Sequence, residues 1–211
     1  APQPVNLGSI SVYPASPGYM AVVCEGKRGA GFHICDRCGT GLVSPPKKDK
    51  GHDSAYGKPC GGILRHVSLG YRFLTDILRL EFQLHHSSDA DCWFIQSLAS
   101  ALTPGVAAAL NVPANDINAD GWHTPDSPPY RIVLYDDVPG GAGLVDRLKD
   151  RSLLRLALAK ALERAERCPE CGPESSCYAC LRSYRNQFAH EYLKRGPVAE
   201  YLGRIITSMD S

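Results

Sequence analysis

The residues best suited to chemistry are four closely spaced cysteines near the carboxyl end of the chain. They form two C-x2-C pairs in the segment Cys168-Pro-Glu-Cys171-Gly-Pro-Glu-Ser-Ser-Cys177-Tyr-Ala-Cys180. A tight turn inside each pair brings its two sulfurs together. Four thiolates make the closed tetrahedral shell that structural zinc prefers. Two disulfides or buried thiols are the alternatives. We favour zinc, because these cysteines lie among charged and polar residues.

A second candidate zinc site lies nearer the amino end. Its members are a C-x2-C pair, one histidine and one further cysteine: Cys35, Cys38, His52 and Cys60. Such a Cys3His set is an ordinary zinc-binding combination. Gly39 directly follows the pair and suits a turn that needs a positive φ. His33 or Cys24 could each replace one member, so this ligand set is less defined than the first. Together the two clusters predict two zinc ions.

The number and spacing of the cysteines indicate the compartment. The chain has nine cysteines, an odd number, and six of them form C-x2-C pairs. This usage favours metal binding in a reducing compartment over an oxidised disulfide framework, so we expect a cytoplasmic protein. Cys24, in the apolar run 21–24, and Cys92, beside Trp93, are predicted to be small core residues. No signal peptide or membrane-spanning run is recognisable, and no membrane partner is expected.

Length and charge set further limits. A chain of 211 residues with 44% hydrophobic residues can bury a substantial core as one domain or slightly more. We divide it into residues 1–66, a strand segment with the Cys3His loop, and residues 67–211, which end in the four-cysteine knuckle and helices. The formal net charge is +1. Global charge therefore gives no argument for nucleic-acid binding, and any such contact must be local.

The pattern of apolar residues predicts an α/β fold, with α+β as the alternative, built as a single mixed sheet–helix core. Short strands are expected at 10–13, 19–23, 31–34 and 131–135. The clearest strand lies within 66–84, where one face repeats every second residue: Leu74, Asp76, Leu78, Leu80, Phe82 and Leu84. Helices are predicted at 92–111, 144–167, 178–194 and 198–208, the last two separated at Gly196-Pro197.

Asp76 is unusual because it lies on the apolar face of this strand, where a carboxylate needs a partner. Arg72 or a turn amide could supply it, or Asp76 could belong to a site. Four acids, namely Asp76, Glu81, Asp116 and Asp136, could be read as metal-nuclease ligands. An odd separation places Asp76 and Glu81 on opposite faces of the strand, which counts against that interpretation.

The turn Pro139-Gly140-Gly141-Ala142-Gly143 precedes a predicted helix and could cradle a phosphate there. No Gly-Lys-Ser/Thr follows, so it is not a phosphate loop of the nucleotide-hydrolysing kind. We favour a turn that needs glycine for its backbone conformation. The chain is therefore not predicted to hydrolyse ATP, and we expect an accessory module and not an enzyme.

The order of these motifs resembles a known family. The features that carry the likeness are the Cys3His set, Leu69-Gly70, Thr75-Asp76-Ile77-Leu78, Leu134-Tyr135-Asp136, the 139–143 turn, the four-cysteine knuckle, Tyr184-x-Asn186, His190 and Leu193-x-Arg195. Over about residues 20–205 the chain resembles the zinc-binding C-terminal domain of unknown function attached to superfamily 2 DNA helicases. MrfA-type repair helicases carry this domain, and so does DrmB of the DISARM anti-phage system, to which the tail looks closer.

The resemblance implies a DNA-processing assembly in which this domain supports a helicase motor and touches DNA. The residues permit this. Basic side chains are frequent in 144–195, and in the second part of this segment aromatic side chains lie between them. Basic and aromatic residues together suit phosphate contact and base stacking. We predict Arg182, Arg185 and Lys194 as DNA contacts, and we expect Arg182 and Arg185 to share a helix face. A solvated helix face is the plain alternative. A protein–protein scaffold that docks a helicase subunit, and a metal-dependent nuclease, are the other functions considered.

Overall fold

The computed structural model describes residues 4–26, 29–44, 51–84, 92–124 and 127–210. They fall into two compact units. The larger contains the described residues up to Gly18 and those from Leu74 onward, and the smaller contains those of Tyr19–Phe73. This grouping differs from the predicted division at residue 66, because the first strands of the chain pair within the sheet of the larger unit.

A five-stranded sheet has the strands β1 (Val5–Leu7), β2 (Ile10–Cys24), β8 (Leu69–Phe82), β9 (Ile117–Thr124) and β10 (Ser127–Asp136), in the order β1-β2-β8-β10-β9. Most of it belongs to the larger unit, whereas β2 from Tyr19 onward and β8 up to Phe73 are grouped with the smaller unit. The β1–β2, β8–β10 and β9–β10 pairs are antiparallel. The predicted mixed sheet–helix core is confirmed, and the antiparallel pairing makes it the α+β form.

The predicted alternation of β8 gives the sheet its buried face. Leu78, Leu80 and Phe82 are fully buried, and the antiparallel register places Leu78 opposite Leu134 and Leu80 opposite Ile132. Leu74, which belongs to the same predicted stripe, is instead exposed. The core stripe therefore begins at Asp76.

Helix α1 (Cys92–Leu110) packs against β9 and β10, and α2 (Arg151–Glu166) packs against α1 and α3 (Arg195–Met209). Tyr201 of α3 contacts Phe82 of β8. Strand β9, which the sequence analysis missed, passes close to α1, since a Cβ on Gly121 would lie 2.5 Å from the Ile95 side chain. Among the described helices, α1 contains a segment, Trp93–Leu110, that is long and apolar enough to cross a membrane, with a mean hydropathy of 1.3. Because 61% of that segment is buried, we interpret α1 as the core helix of a folded unit.

Three helix predictions need correction. The single helix predicted at 144–167 is a 3-10 helix, Val145–Lys149, followed by α2, because the Asp150 side chain accepts the Leu153 amide (2.9 Å) and caps α2. The helix predicted at 178–194 is only a 3-10 helix, Tyr184–Ala189. Gly196-Pro197 does not separate two helices. Both residues lie in the first turn of α3, where proline is tolerated.

The smaller unit contains short antiparallel strands. β3 (Phe32–Cys35) pairs with β4 (Gly41–Leu42) and with β7 (Leu64–Val67). β5 (His52–Asp53) pairs with β6 (Pro59–Cys60), in a register that sets His52 directly opposite Cys60. This pairing brings together His52 and Cys60, two members of the predicted Cys3His set.

Candidate zinc centres and their surroundings

The four cysteines of the C-terminal cluster, the four-cysteine knuckle, converge on one point. Neighbouring Sγ atoms are 3.8 Å apart for Cys168–Cys171, 3.4 Å for Cys168–Cys177, 3.6 Å for Cys171–Cys180 and 3.8 Å for Cys177–Cys180. A zinc–sulfur bond of about 2.3 Å in a tetrahedron requires sulfurs about 3.8 Å apart. A disulfide requires about 2.05 Å. The donor set fits zinc and excludes disulfides.

Two thiols of this knuckle have pKa values that are displaced in opposite directions. Although burial opposes it, hydrogen bonds from the Glu170 backbone and from neighbouring thiols lower the pKa of Cys168 to about 7. Burial, followed by hydrogen bonding with Cys168, raises the pKa of Cys177 to about 12. Four thiols this close cannot all ionise unless a cation balances their negative charge. A bound metal ion supplies that charge and deprotonates its thiol ligands.

Two arginines attach the knuckle to the helices. Arg195 donates from Nε and Nη2 to the Cys171 carbonyl (3.1 and 2.8 Å), and from Nη1 to the Ala165 and Glu166 carbonyls (2.9 and 3.2 Å) at the end of α2. Arg164, on α2, donates from Nε to the Cys180 carbonyl (2.8 Å). The carbonyl groups of two knuckle cysteines are therefore held by side chains of α2 and α3.

The Cys3His set also comes together. Cys35 Sγ lies 3.8 Å from Cys60 Sγ, and Cys38 Sγ lies 3.3 Å from His52 Nε2. One ligand atom from each of the four residues lies within 4.8 Å of the others. Hydrogen bonds from the side chain and backbone of Thr40 lower the pKa of the Cys38 thiol to about 6, which favours the thiolate that zinc requires.

The turns of the smaller unit explain this geometry. Gly39 has a φ of 72°, as predicted, and its amide donates to the Cys35 carbonyl (3.0 Å). The amides of Arg37 and Cys38 each lie 3.4 Å from Cys35 Sγ.

The other cysteine and histidine predictions have mixed outcomes. Cys24, predicted to be a core residue, is exposed, because the part of β2 that carries it is solvent-accessible on both faces. The ring of His33, considered as an alternative ligand, lies 5.2 Å from the ring of His66. The side chain of Cys92 lies outside the described part of the structure. Within the described residues, metal-binding clusters of Cys, His, Asp and Glu occur at the two tetrads.

Comparison with known proteins agrees with this donor chemistry. Residues 98–181 match the family described as MZB, the MrfA Zn-binding domain. The matched segment is thus similar to the zinc-binding domain associated with MrfA helicases. It contains most of α1, then β9, β10, α2 and the four-cysteine knuckle up to Leu181. With its two tetrads, the chain has the donors for two zinc ions.

Two solved structures are similar to the chain. "Crystal Structure of DUF1998 helicase MrfA bound to DNA" has a TM-score of 0.55 at 14% identity, over 99% of this chain and 23% of that one. "Crystal Structure of DUF1998 helicase MrfA bound to DNA and AMPPNP" has a TM-score of 0.45 at 16% identity, over 71% of this chain and 18% of that one. The first shares the fold. The chain thus spans under a quarter of either helicase. A comparison with curated protein sequences found no significant match.

The amides of the glycine-rich turn 139–143 are bound by carboxylates of the same chain. Asp136 accepts the amides of Ala142, Leu144 and Val145 at 2.8–2.9 Å, and Asp76 accepts the Gly143 amide at 2.7 Å. The turn amide is therefore the partner that Asp76 needs, together with the Ser16 hydroxyl. Amides already bound to carboxylates are not free to hold a phosphate.

The nuclease carboxylates do not form a site either. Asp76 and Asp136 are engaged by the turn, whereas Glu81 pairs with Arg131 (3.1 Å). None of these acids belongs to a metal-binding cluster of the described residues. Asp136 binds more amides of the turn than any other described side chain, a role not predicted from the sequence. Its position at the end of a strand, six residues before Ala142, is a signal that could have indicated it.

The three predicted DNA contacts lie near the four-cysteine knuckle. Arg182 donates to the Ser176 hydroxyl (3.1 Å), Arg185 pairs with Asp137 (2.6 Å), and Lys194 pairs with Glu174 (3.1 Å). Arg182 precedes the 3-10 helix and does not share a helix face with Arg185, contrary to prediction. Both nevertheless line one groove together with Phe188, whereas Lys194 does not.

Asn186 organises the segment between the knuckle and α3, a role that the sequence did not indicate. Its Oδ1 accepts the Ser183 amide (2.8 Å), and its Nδ2 donates to the Leu181 carbonyl and the Ser100 hydroxyl (both 2.9 Å). His190 Nε2 lies 3.0 Å from the same Oδ1. The tail motif that supported the family resemblance therefore has a structural basis.

Proposed function

We propose that this chain is the zinc-binding accessory module of a DNA helicase, and that it contacts DNA through the segment 182–195 that follows the four-cysteine knuckle. The observation that carries the proposal is the attachment of the knuckle. Arg164 of α2 and Arg195 of α3 hydrogen-bond the carbonyls of Cys180 and Cys171. The position of the knuckle is therefore fixed, and so is the start of the basic segment that follows it. The helicase with the same fold is bound to DNA, which supports the proposal.

The ion pairs of the basic residues are compatible with phosphate contact. The side chains of Arg185 and Lys194 are each 46% exposed, and those of their partners Asp137 and Glu174 are 33% and 74% exposed. Exposed ion pairs stabilise a protein by only about 0–1 kcal/mol. A phosphate can therefore replace Asp137 or Glu174 at small cost. Several such contacts would give weak, sequence-independent and salt-sensitive binding.

The motor is a separate part of the proposed assembly. The chain is an accessory domain and not the motor itself. The motor could belong to an MrfA-type helicase, for which the matched domain is named, or to a DrmB-type assembly, to which the tail looks closer. The free cysteines of both tetrads suit the reducing cytoplasm that we propose as its compartment.

The test is a titration of the zinc-loaded chain with single- and double-stranded DNA at low salt. Changing Arg182 and Arg185 together to Ala should weaken binding at least tenfold and lower the salt slope by about 1–2, with the zinc content unchanged. The matched control is Lys149→Ala with Lys160→Ala, which removes the same charge from exposed pairs with Asp146 and Glu163. Equal losses in both double variants would contradict a local contact.

A scaffold function is the second candidate, and one observation favours it. The smaller unit exposes large apolar side chains on the outer parts of β2 and β8, with Tyr19 at 74%, Val23 at 59% and Tyr71 at 64%. Such exposure is typical of a protein-binding surface. If this function is the correct one, Tyr71→Ser should abolish capture of the helicase motor, and the chain should show no affinity for DNA at low salt.

A further inference from the structure

A groove of about 640 Å³ opens in the larger unit beside the four-cysteine knuckle. Gln96 of α1 and Asn115, just before β9, lie in its walls. Residues of the segment Arg182–Phe188 also line it. The volume falls within the range of about 300–1,000 Å³ that is typical of sites for a single small ligand. It is suited to one or two nucleotide units and too small for a duplex.

Exposed aromatic rings line this groove. Tyr184 is 83% exposed and Phe188 is 69% exposed, and both belong to the 3-10 helix Tyr184–Ala189. The capping interactions of Ser183 and Asn186 fix that helix. Exposed rings carried on a fixed backbone can stack with a planar base.

The charge of the groove is small, and this decides which kind of nucleic acid it suits. Three arginines and one aspartate line the groove: Arg164, Arg182, Arg185 and Asp120. Arg164 and Arg182 hydrogen-bond neighbouring groups, and Arg185 pairs with Asp137. The groove can therefore neutralise only a few phosphates, whereas neutralising many is the main source of affinity for a duplex. Stacking must contribute, and it requires bases that are not already paired.

We propose that this groove binds single-stranded DNA, with one or two unpaired bases stacked on Tyr184 and Phe188 and the adjoining phosphate at Arg182. The inference rests on the proposed DNA contact. It adds that the DNA is single-stranded and that its bases bind in this groove. Gln96 and Asn115 offer amide groups to the edge of a seated base. Because every base has a face that can stack, we expect little preference among bases.

The experiment compares the affinity of the zinc-loaded chain for a labelled oligo(dT), an abasic oligomer of equal length and a duplex of equal length. Oligo(dT) should bind at least fivefold more tightly than either competitor. Tyr184→Ala and Phe188→Ala should each weaken oligo(dT) binding about five- to tenfold and leave abasic binding unchanged. Tyr178→Ala is the control, since Tyr178 is an exposed aromatic residue of the knuckle that does not line the groove.

Each alternative outcome has a distinct meaning. If no form of DNA binds at low salt, both this inference and the proposed DNA contact are overturned. If duplex and abasic oligomers bind as tightly as oligo(dT), and the two aromatic variants behave as wild type, the single-strand seat is overturned and the DNA contact stands. A poly-glutamate peptide that displaces oligo(dT) at equal charge would also overturn the inference, because the groove would then recognise charge alone.

Discussion

Replacement of Arg195 by Met should loosen the four-cysteine knuckle without removing a zinc ligand. The guanidinium makes four hydrogen bonds to three backbone carbonyls, of Ala165, Glu166 and Cys171. Hydrogen bonds to a charged group contribute about 1.5–3 kcal/mol net. A cation at a helix C-terminus adds about 0.3–1 kcal/mol. Arg195 is half-buried and its bonds share one charge, so these contributions do not add fully, and we expect a loss of about 3 kcal/mol.

Two measurements follow from this magnitude. For a chain of this length, a loss of about 3 kcal/mol corresponds to a fall in Tm of about 6–12 °C. If zinc leaves when the knuckle separates from α2, the same free energy corresponds to about a hundredfold faster release to a chelator, detected with a zinc-sensitive dye. Arg195→Lys keeps the charge but cannot reach three carbonyls, so it should fall between wild type and Arg195→Met.

The control is Arg155→Met. Arg155 also bridges two helices, through Nε and Nη2 to the Asp210 carboxylate (2.8 and 2.7 Å), but it is exposed and distant from the knuckle. Zinc release should be unchanged in this variant. If Arg195→Met released zinc at the wild-type rate, or if both variants accelerated release equally, the argument that Arg195 clamps the knuckle would be refuted.

Further expectations concern the metals, the glycine turn, acid stability and nucleotide hydrolysis. Metal analysis should find about two zinc ions, and Cys60→Ser should reduce this to one while the helical circular dichroism persists, because α1–α3 lie in the larger unit. Gly143→Ala, with a φ of 70° and nothing near its new Cβ, should cost about 1 kcal/mol. Gly141→Ala should cost about 3 kcal/mol in denaturant unfolding, because its Cβ meets the Asp76 carboxylate and amide. Equal costs would contradict the steric argument. Arg155 lowers the pKa of Asp210, so their pairing stabilises the fold above the unfolded pKa of about 3.9 and is lost as pH falls through the lower folded value. Asp210→Asn should therefore flatten the acid limb of a stability profile. DNA-stimulated ATP hydrolysis should be absent, and turnover that persists in a chain purified free of helicase would contradict this.

The zinc donors were predictable because cysteine spacing carries its own geometry. A C-x2-C pair needs only a tight turn, so Cys168 to Cys180 could be read directly from the sequence. The apolar stripe of β8 was equally local, since a period of two places Leu78, Leu80 and Phe82 on one face whatever the rest of the fold does. Asp76 stood out in that stripe as a carboxylate that needed a partner.

Only the tertiary structure decided which distant groups meet. Asp136 and Asp76 bind the glycine-rich turn, and Arg195 reaches both a knuckle carbonyl and the end of α2. Nothing in local spacing encodes these contacts, because they depend on how the sheet and helices pack. The same packing set the boundaries that the periodicity misjudged: Asp150 capped a helix that looked continuous, and Asn186 bound the backbone of a segment that looked helical. The sequence by itself determined the metal chemistry and the core stripe, since these follow from side-chain type and short-range geometry. The groove beside the knuckle depends on α1, β9 and the Arg182–Phe188 segment coming together, and that is a property of the folded chain alone.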